Sequence, residues 1–200
     1  ADVNGGGGDL VLGAHRHAFL GRGGAGATFL RFGGPALPTG VRDLAIAAES
    51  DVRIGGAAAG DGLPEQKQIS SGDFNGDGFA DLLLGTTDAT FNGRATSGGA
   101  YLVLGGPGLP PGDVDMAAPA SFRARVEGAA AGDRAGFVLL AEVTGDGTTD
   151  LVVGAFGADP QARGDAGSVS VVSGSDVAPG PGTLVDLAVA ANEFARFDGA

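Results

Sequence analysis

Oxygen-bearing side chains recur at regular positions of the segment Asp73–Gly85, which reads DFNGDGFADLLLG. They belong to Asp73, Asn75, Asp77 and Asp81, at positions one, three, five and nine. This set suits a hard cation, since Ca²⁺ takes about six to eight oxygen ligands at about 2.3–2.6 Å. Three carboxylates so close together would repel one another unless a cation lay among them. The spacing predicts a Ca²⁺ site, and the alternative is a polar turn that binds no metal.

Glycines at positions four and six and a phenylalanine at position seven complete this loop. Gly78 is expected to reverse the backbone, because a residue without Cβ adopts positive φ at no steric cost. Phe79 has no side-chain oxygen, so its backbone carbonyl is the predicted ligand at position seven. An EF-hand would require an acidic ligand at position twelve, on a helix. That position is Leu84, in an apolar run typical of a buried strand, so the loop is not an EF-hand.

The loop occurs three times along the chain. The sequences ADVNGGGGDLVLGA, SGDFNGDGFADLLLG and AEVTGDGTTDLVVGA begin at Ala1, Ser71 and Ala141. The distance is 71 residues from Asp2 to Asp73 and 69 residues from Asp73 to Glu142. Self-similarity at a fixed period indicates a repeat architecture.

The third loop retains a nearly complete set of oxygen ligands. Its predicted ligands are Glu142, Thr144, Asp146, the carbonyl of Thr148, and Asp150. The first loop keeps Asp2, Asn4 and Asp9, but Gly6 occupies the central acidic position and the loop is one residue shorter. It is therefore expected to bind Ca²⁺ weakly or not at all, because affinity follows the number of charged ligands.

Short apolar strands, separated by glycine- and proline-rich turns, must position these loops. After each loop comes a strand, then a variable loop with one arginine (Arg22, Arg94, Arg163), a second strand, a proline-rich turn and a further strand. The predicted strands are Leu10–Gly13, Leu82–Gly85 and Leu151–Gly154; Ala27–Phe32, Ala100–Leu104 and Ser168–Val172; and Val52–Ala57, Ala124–Ala129 and Ala195–Ala200. The proline-rich turns are Pro35–Pro38, Pro107–Pro111 and Pro179–Pro181, and a remaining strand is expected near Gln66–Ser71 and Phe137–Ala141 but not in the first unit.

Composition narrows the function classes. The chain has 200 residues, of which 40 are glycine and 43% are hydrophobic, in short ordered runs that disordered chains lack. Its net charge of −12 opposes binding to phosphate backbones, so no nucleic-acid partner is expected. The absence of cysteine excludes disulfides and zinc–thiolate sites. No apolar run approaches the roughly 20 residues of a membrane span.

With the flanking sequences GAAAGDRAGF and DLVVGA, the three loops resemble FG-GAP repeats, the blades of integrin α-subunit propellers and related surface proteins. The resemblance implies that each loop joins the first two strands of a blade and holds calcium on one rim. Two features depart from the family pattern: the FG pair is inverted as Gly136-Phe137, and the units are somewhat long.

The fold expected from these observations is all-β: a partial β-propeller of about three four-stranded blades. We predict a single incomplete propeller segment with units of approximately 1–57, 58–129 and 130–200. Closed propellers have about four to eight blades. The segment is therefore expected to belong to a longer chain with further blades; alternatively it closes by association or remains open.

Three other sequence features give weaker indications of function than the calcium loops do. Arg163-Gly164-Asp165 spells an integrin-ligand tripeptide, but its arginine stands at a repeat position, which favours an origin in the repeat. His15 and His17 could bind a metal or a sugar, although solvated loop residues are the simpler interpretation. Both histidines lie in one unit and there is no cysteine or GxSxG motif, so an enzyme is not expected.

The function expected from the resemblance is that of a calcium-binding segment of a secreted or cell-surface protein, an adhesion or ligand-binding platform. A protein or glycan ligand would contact the variable loops Ala14–Gly26, Thr86–Gly99 and Phe156–Gly167. The alternatives are a non-catalytic carbohydrate-binding or accessory module of an extracellular hydrolase, and a spacer without a ligand.

Overall fold

The computed structural model describes residues 1–34, 40–64 and 68–200. These residues form thirteen strands and five short 3₁₀ turns, without an α-helix. In this part of the chain, no helix has the length and apolar character needed to cross a membrane. The strands are β1 (Leu10–Ala14), β2 (Ala27–Arg31), β3 (Val52–Gly55), β4 (Ile69–Gly72), β5 (Asp81–Thr86), β6 (Gly99–Val103), β7 (Gly112–Asp115), β8 (Ala124–Glu127), β9 (Ala135–Ala141), β10 (Asp150–Ala155), β11 (Ser168–Val172), β12 (Thr183–Asp186) and β13 (Ala195–Asp198). The 3₁₀ turns are Ala47–Glu49, Pro119–Ser121, Pro160–Ala162, Gly174–Asp176 and Ala190–Asn192.

The strands form three sheets, one for each repeat unit. Sheet 1 has the order β1-β2-β3-β7, sheet 2 the order β12-β8-β6-β5-β4, and sheet 3 the order β13-β11-β10-β9. Within each unit, neighbouring strands pair antiparallel, as expected for strands joined by short turns. The predicted all-β architecture is confirmed, with the described strands arranged in three sheets.

The predicted strands are all present, with ends that differ by a few residues. No described strand pairs with the free side of β1, so the first unit lacks the strand that β4 and β9 provide in the others, as predicted. The proline-rich turn Pro35–Pro38 lies outside the described residues, as does the start of the strand expected near Gln66–Ser71.

The expectation of four strands per unit was incomplete, because two additional strands follow the second and third proline-rich turns. β7 leaves unit two and pairs parallel with β3 of sheet 1, and β12 of unit three pairs parallel with β8 of sheet 2. Units two and three thus each lend a strand to the outer edge of the preceding sheet. These segments are only four residues long, and a run so short does not show the alternation of apolar and polar residues that predicts a strand.

An arginine–aspartate pair accompanies each lent strand. Asp115, at the end of β7, accepts hydrogen bonds from both terminal nitrogens of Arg22, at 2.6 and 3.1 Å. Asp186, at the end of β12, has the same relation to Arg94, at 2.7 and 3.2 Å. The two-nitrogen geometry is the strong form of this contact. Arg22 and Arg94 of the variable loops therefore each join their own unit to the following one.

Apolar residues fill the space between the sheets. Leu82 and Leu84 of β5 are fully buried with Leu30 and Ile54 of sheet 1, whereas Leu83 is buried with side chains of sheet 3. The alternation of β5 side chains therefore covers both faces of sheet 2. This arrangement explains the uninterrupted apolar run, which a sheet with one solvated face would not have.

Candidate functional site

The loop of residues 73–80 joins β4 to β5 at one end of sheet 2. Gly76 and Gly78 have φ values of +75° and +88°, in the left-handed region that glycine adopts readily. The backbone reversal expected at Gly78 is therefore confirmed. Asp73, Asn75 and Asp77 are exposed around this reversal, and Phe79 is half-buried.

The exposed carboxylates of the loop accept hydrogen bonds from its backbone. Asp73 accepts from the N–H groups of Gly76 and Gly78, at 2.7 and 2.8 Å. Asp77 accepts from the Phe79 N–H at 2.9 Å and from the Asn75 side-chain amide at 2.9 Å. These bonds hold the loop in a compact turn with its carboxylates on the solvent side.

Asp81 has a different environment, because its side chain is fully buried at the start of β5. One oxygen accepts from the Phe74 N–H and the other from the Gly105 N–H, each at 2.8 Å. Burial raises the pKa of Asp81 above its ordinary value, and the negative charge of Asp77 adds to the rise, although the backbone hydrogen bonds oppose it. Asp81 thereby links the loop to the turn after β6.

The third loop has a similar organisation. Glu142 accepts from the Gly145 N–H at 2.5 Å, and Asp146 accepts from the Thr148 N–H at 2.8 Å and from the Thr148 hydroxyl. These two hydrogen bonds from Thr148 hold the pKa of Asp146 well below its ordinary value. Thr144 donates its N–H to Asp150 at 2.9 Å. The sequence predicted only the backbone carbonyl of Thr148 as a ligand. In the structure, its side-chain hydroxyl donates to Asp146.

The aspartate at the end of each loop shares one structural role in all three units. Asp9 accepts from the Val3 and Gly33 N–H groups at 2.6 and 2.7 Å, and Asp150 accepts from the Val143 and Gly174 N–H groups at 2.8 and 3.0 Å. Asp9 therefore links its loop to the turn after β2, and Asp150 links its loop to the turn after β11. Asp81 makes the corresponding link to the turn after β6.

Sequence reasoning assigned Asp81 and Asp150 only to the ion and missed this linking role. The first loop lacks the central acidic ligand, yet Asp9 makes the same kind of link there as Asp81 and Asp150 make in the other two loops. The sequence carries no signal that separates this role from ion binding, because Asp2 and Asn4 are retained in the first loop as well.

The three loops also contact one another at the same end of the sheets. The Ala80 N–H donates to the Asp2 carbonyl at 2.8 Å, and the Thr149 hydroxyl donates to the Asp73 carbonyl at 3.0 Å. Phe79 packs so close to Gly5 that a Cβ there would lie 2.8 Å from its ring. A loop that changes conformation would therefore disturb its neighbours.

The predicted ligands do not converge as a metal cluster in the structure. Within residues 1–34, 40–64 and 68–200, no three histidine, cysteine, aspartate or glutamate side chains are grouped so that they could hold a metal ion. The donor chemistry nevertheless suits Ca²⁺ in the second and third loops, since each of these two offers three carboxylates. Asp81 and Asp150 retain acceptor capacity beyond their backbone hydrogen bonds, because an ionised carboxylate has about four lone-pair sites.

Two other sequence motifs take part in the fold. The ring of His17 packs edge-on against Phe29 with the ring centroids 5.2 Å apart. Arg163 of the Arg-Gly-Asp tripeptide donates its Nε to the Gly199 carbonyl at 2.9 Å, and the Asp165 N–H donates to Asp159 at 2.6 Å. The arginine of this tripeptide is therefore held against the end of the third unit.

Comparison with known families supports the interpretation of the second unit. Residues 68–103 match the family model described as FG-GAP repeat. The match begins just before β4, includes the loop with Asp73 and Asp77, and ends with β6. The resemblance to FG-GAP repeats is thus confirmed for this part of the chain. No curated protein matches the chain.

Proposed function

We propose that this chain is a calcium-binding β-propeller module that serves as a non-catalytic binding platform outside the cell. The observation that carries the proposal is the FG-GAP repeat, whose β4–β5 loop contains oxygen ligands at the spacing of a calcium loop. Two Ca²⁺ ions would be held, one by Asp73, Asn75, Asp77, the Phe79 carbonyl and Asp81, and one by Glu142, Thr144, Asp146, the Thr148 carbonyl and Asp150.

Bound Ca²⁺ would neutralise the carboxylates that the loop places around its reversal. Asp73 and Asp77 are exposed, so they are accessible to an ion without unfolding of the sheet. Flexible loops rich in carboxylates favour Ca²⁺ over Mg²⁺, because Mg²⁺ demands near-octahedral geometry and loses its water reluctantly. An ion that binds the folded chain and not the unfolded chain would stabilise the native state.

The topology separates the ion loops from the variable loops. β5 begins at the ion loop and ends at the variable loop Thr86–Gly99, so the two lie at opposite ends of the strand. Backbone hydrogen bonds from the turn after β8 hold residues 95–97 of this variable loop. The exposed residues Asp88, Thr90 and Gly93 are therefore the part of this loop best placed to contact a protein or glycan, as loops on a rigid scaffold commonly do.

An extracellular location agrees with the expected affinity. FG-GAP repeats occur in extracellular proteins, and the calcium sites of extracellular modules have Kd values of about 10⁻⁴–10⁻³ M. Such sites are filled at the millimolar calcium concentration outside cells and are empty at cytosolic concentrations.

Thermal unfolding with and without Ca²⁺ tests the proposal. We expect the melting temperature to fall in EGTA and to recover with Ca²⁺ more than with Mg²⁺ at equal concentration. Asp77→Asn and Asp146→Asn should each reduce the calcium-dependent increase, since each removes one charged ligand from one loop. Asp88→Asn is the matched control, because Asp88 is an exposed aspartate outside both loops. Identical melts in EGTA and in millimolar Ca²⁺ would refute calcium binding.

A further inference from the structure

A cavity of about 640 Å³ lies at the end of sheet 2 that carries the ion loop. Its walls are the turn after β6, the first residues of β7, the segment before β8 and the segment before β12. Every lining residue lies within positions 75–181, so neither end of the chain contributes to it. Cavities of roughly 300–1,000 Å³ are the size of small-molecule sites.

The lining of this cavity is mostly apolar. Val103, Val114 and Phe122 line it and are buried, whereas Leu109 is half-buried and Pro181 is exposed. Small-molecule sites commonly combine such a lining with a small number of polar groups that orient the ligand. The identity of the ligand therefore depends on which polar groups the cavity presents.

Arg123 brings a positive charge to the wall formed by the segment before β12. Its guanidinium donates to the backbone carbonyls of Gly180 and Val177, at 2.6 and 3.2 Å. Within residues 1–34, 40–64 and 68–200 it has no carboxylate partner. A guanidinium has several N–H donors, so two bonds leave others for a further acceptor. The carbonyl bonds thus hold the side chain in place without neutralising it.

Asp113 is the other charged residue of the lining, and its charge is already paired. Arg53 donates to both of its carboxylate oxygens, at 2.6 and 2.8 Å. The uncompensated charge of the cavity is therefore that of Arg123. An anionic ligand complements this charge, and a carboxylate is a strong acceptor for a guanidinium.

The repeat itself does not account for Arg123. It lies two residues before the arginine that β3, β8 and β13 have in common, and the same position holds Asp51 in unit one and Phe194 in unit three. A positive charge at this position is therefore not required to build a unit. Its presence beside the cavity favours a role that belongs to unit two.

We propose that this cavity binds a small molecule that joins an apolar alkyl or aryl body to one carboxylate. The carboxylate accepts from the Arg123 guanidinium, and the body lies against Leu109, Val114 and Phe122. A neutral ligand of the same shape would take Arg123 out of water without supplying a partner, which carries a free-energy cost. The site lies at the opposite end of sheet 2 from the variable loop Thr86–Gly99, so it is separate from the binding platform proposed above.

An NMR titration of the ¹⁵N-labelled chain with trans-cinnamate tests the proposal, with the neutral amide cinnamamide as the matched ligand. We expect cinnamate to bind saturably with a Kd of about 1 mM or tighter. It should shift the amide signals of Gly105, Gly108 and Val114, which line the cavity. Cinnamamide should bind at least about tenfold more weakly, because it lacks the charge that pairs with Arg123.

Three variants locate the carboxylate and the apolar body. Arg123→Gln should weaken cinnamate about tenfold and leave cinnamamide nearly unchanged. Arg16→Gln is the matched control, since Arg16 is exposed in the first variable loop, and it should change neither ligand. Gly108→Phe should weaken both ligands, because a Cβ there has no neighbour within 4 Å and the added ring would occupy the cavity. Circular dichroism confirms that each variant is folded.

Several outcomes would overturn the proposal. Equal affinities for cinnamate and cinnamamide, or a cinnamate affinity that Arg123→Gln does not change, would remove Arg123 from the site. Shifts confined to the exposed Phe137 and Phe197 of sheet 3 would place the ligand elsewhere. Cavity shifts with the peptide acetyl-Leu-Ala-Leu but not with cinnamate would assign the cavity to a protein chain.

The same titrations in EGTA and in about 1 mM Ca²⁺ separate this site from the ion loops. The comparison matters because Asn75, a predicted ion ligand, also lines the cavity. We expect cinnamate to bind under both conditions, since Arg123 is not an ion ligand. Binding that requires Ca²⁺ and is insensitive to Arg123→Gln would place the carboxylate on the ion and would overturn the proposal.

Discussion

Replacing Asp81 by asparagine tests the link that recurs in all three loops. The carboxylate is fully buried and accepts one backbone N–H on each oxygen, from Phe74 and Gly105. Asparagine keeps the shape but has one oxygen, so its amide nitrogen faces one of these N–H groups. One charge-assisted bond is then lost and one buried donor is left unpaired, each of which costs about 1–3 kcal/mol.

The loss of stability in Asp81→Asn is partly offset, because the substitution removes a buried charge. Burial raises the pKa of Asp81, which means that the buried negative charge itself carries a penalty that asparagine does not. We therefore expect Asp81→Asn to lower the free energy of unfolding by about 2 kcal/mol, within a range of roughly 1–3 kcal/mol.

Urea unfolding in EGTA measures this structural contribution without the ion, and Asp88→Asn serves as the control, with an expected change within about 0.5 kcal/mol. Repeating the measurement in about 1 mM Ca²⁺ adds the binding contribution, which for a Kd of about 10⁻⁴ M amounts to about 1.4 kcal/mol in the wild type. A loss below about 0.5 kcal/mol in EGTA would refute the linking role of Asp81.

Three further outcomes are expected from the junctions between units. A double-mutant cycle on Arg94→Ala and Asp186→Ala, measured by urea unfolding, should give a coupling of about 1 kcal/mol, and additive effects would contradict the ion pair. Partial burial opposes ionisation of Asp115 and Asp186, but hydrogen bonds from Arg22 and Arg94 hold the pKa values of these carboxyls below the ordinary value of 3.8. The stability that the two carboxylates contribute is therefore present above about pH 3.8 and is lost as the pH falls further. Urea unfolding between pH 5 and pH 2.5 should show this loss, and Asp186→Asn should make the acid side of the profile shallower; an unchanged profile would exclude Asp186 as a contributor. Gly85→Ala would place a Cβ 1.9 Å from the Gly136 carbonyl oxygen and should destabilise the chain by about 3 kcal/mol. The control Gly164→Ala, whose Cβ would have no neighbour within 4 Å, should cost less than about 0.5 kcal/mol. Equal effects of the two substitutions would refute the close approach of β5 to β9.

Much of the architecture could be predicted from the sequence because it depends on local signals. The apolar runs around Leu83 and Leu151 end at glycines, and the repeat of the loop sets their order. Gly78, at position six of the loop, has the positive φ that was predicted for it. These features are determined by residues close together in the chain.

The lent strands could not be predicted in the same way. β7 acquires its partners from β3, about 60 residues earlier, and its four residues have no period that distinguishes a strand from a turn. The aspartate that ends it recurs as Asp43, Asp115 and Asp186, but its partner arginine lies in the preceding unit. A contact between two units does not change the spacing of apolar and polar residues within either unit, so the local sequence pattern does not predict it.

The ion ligands show a second limit. The spacing of Asp73, Asp77 and Asp81 indicates ligand chemistry, but it does not reveal that Asp81 is buried on two backbone N–H groups while Asp73 and Asp77 face solvent. One residue can serve the fold and the ion at the same time, and only the three-dimensional contacts separate the two roles.

Isothermal titration calorimetry with Ca²⁺ tests the calcium-binding proposal most directly. We expect two sites per chain with Kd values of about 10⁻⁴–10⁻³ M or tighter. Asp77→Asn and Asp146→Asn should each weaken one site, the double variant should weaken both, and Asp88→Asn should leave both unchanged. Binding of Ca²⁺ that is unaffected by the double variant, or no saturable heat at millimolar Ca²⁺, would contradict the assignment of these loops as calcium sites.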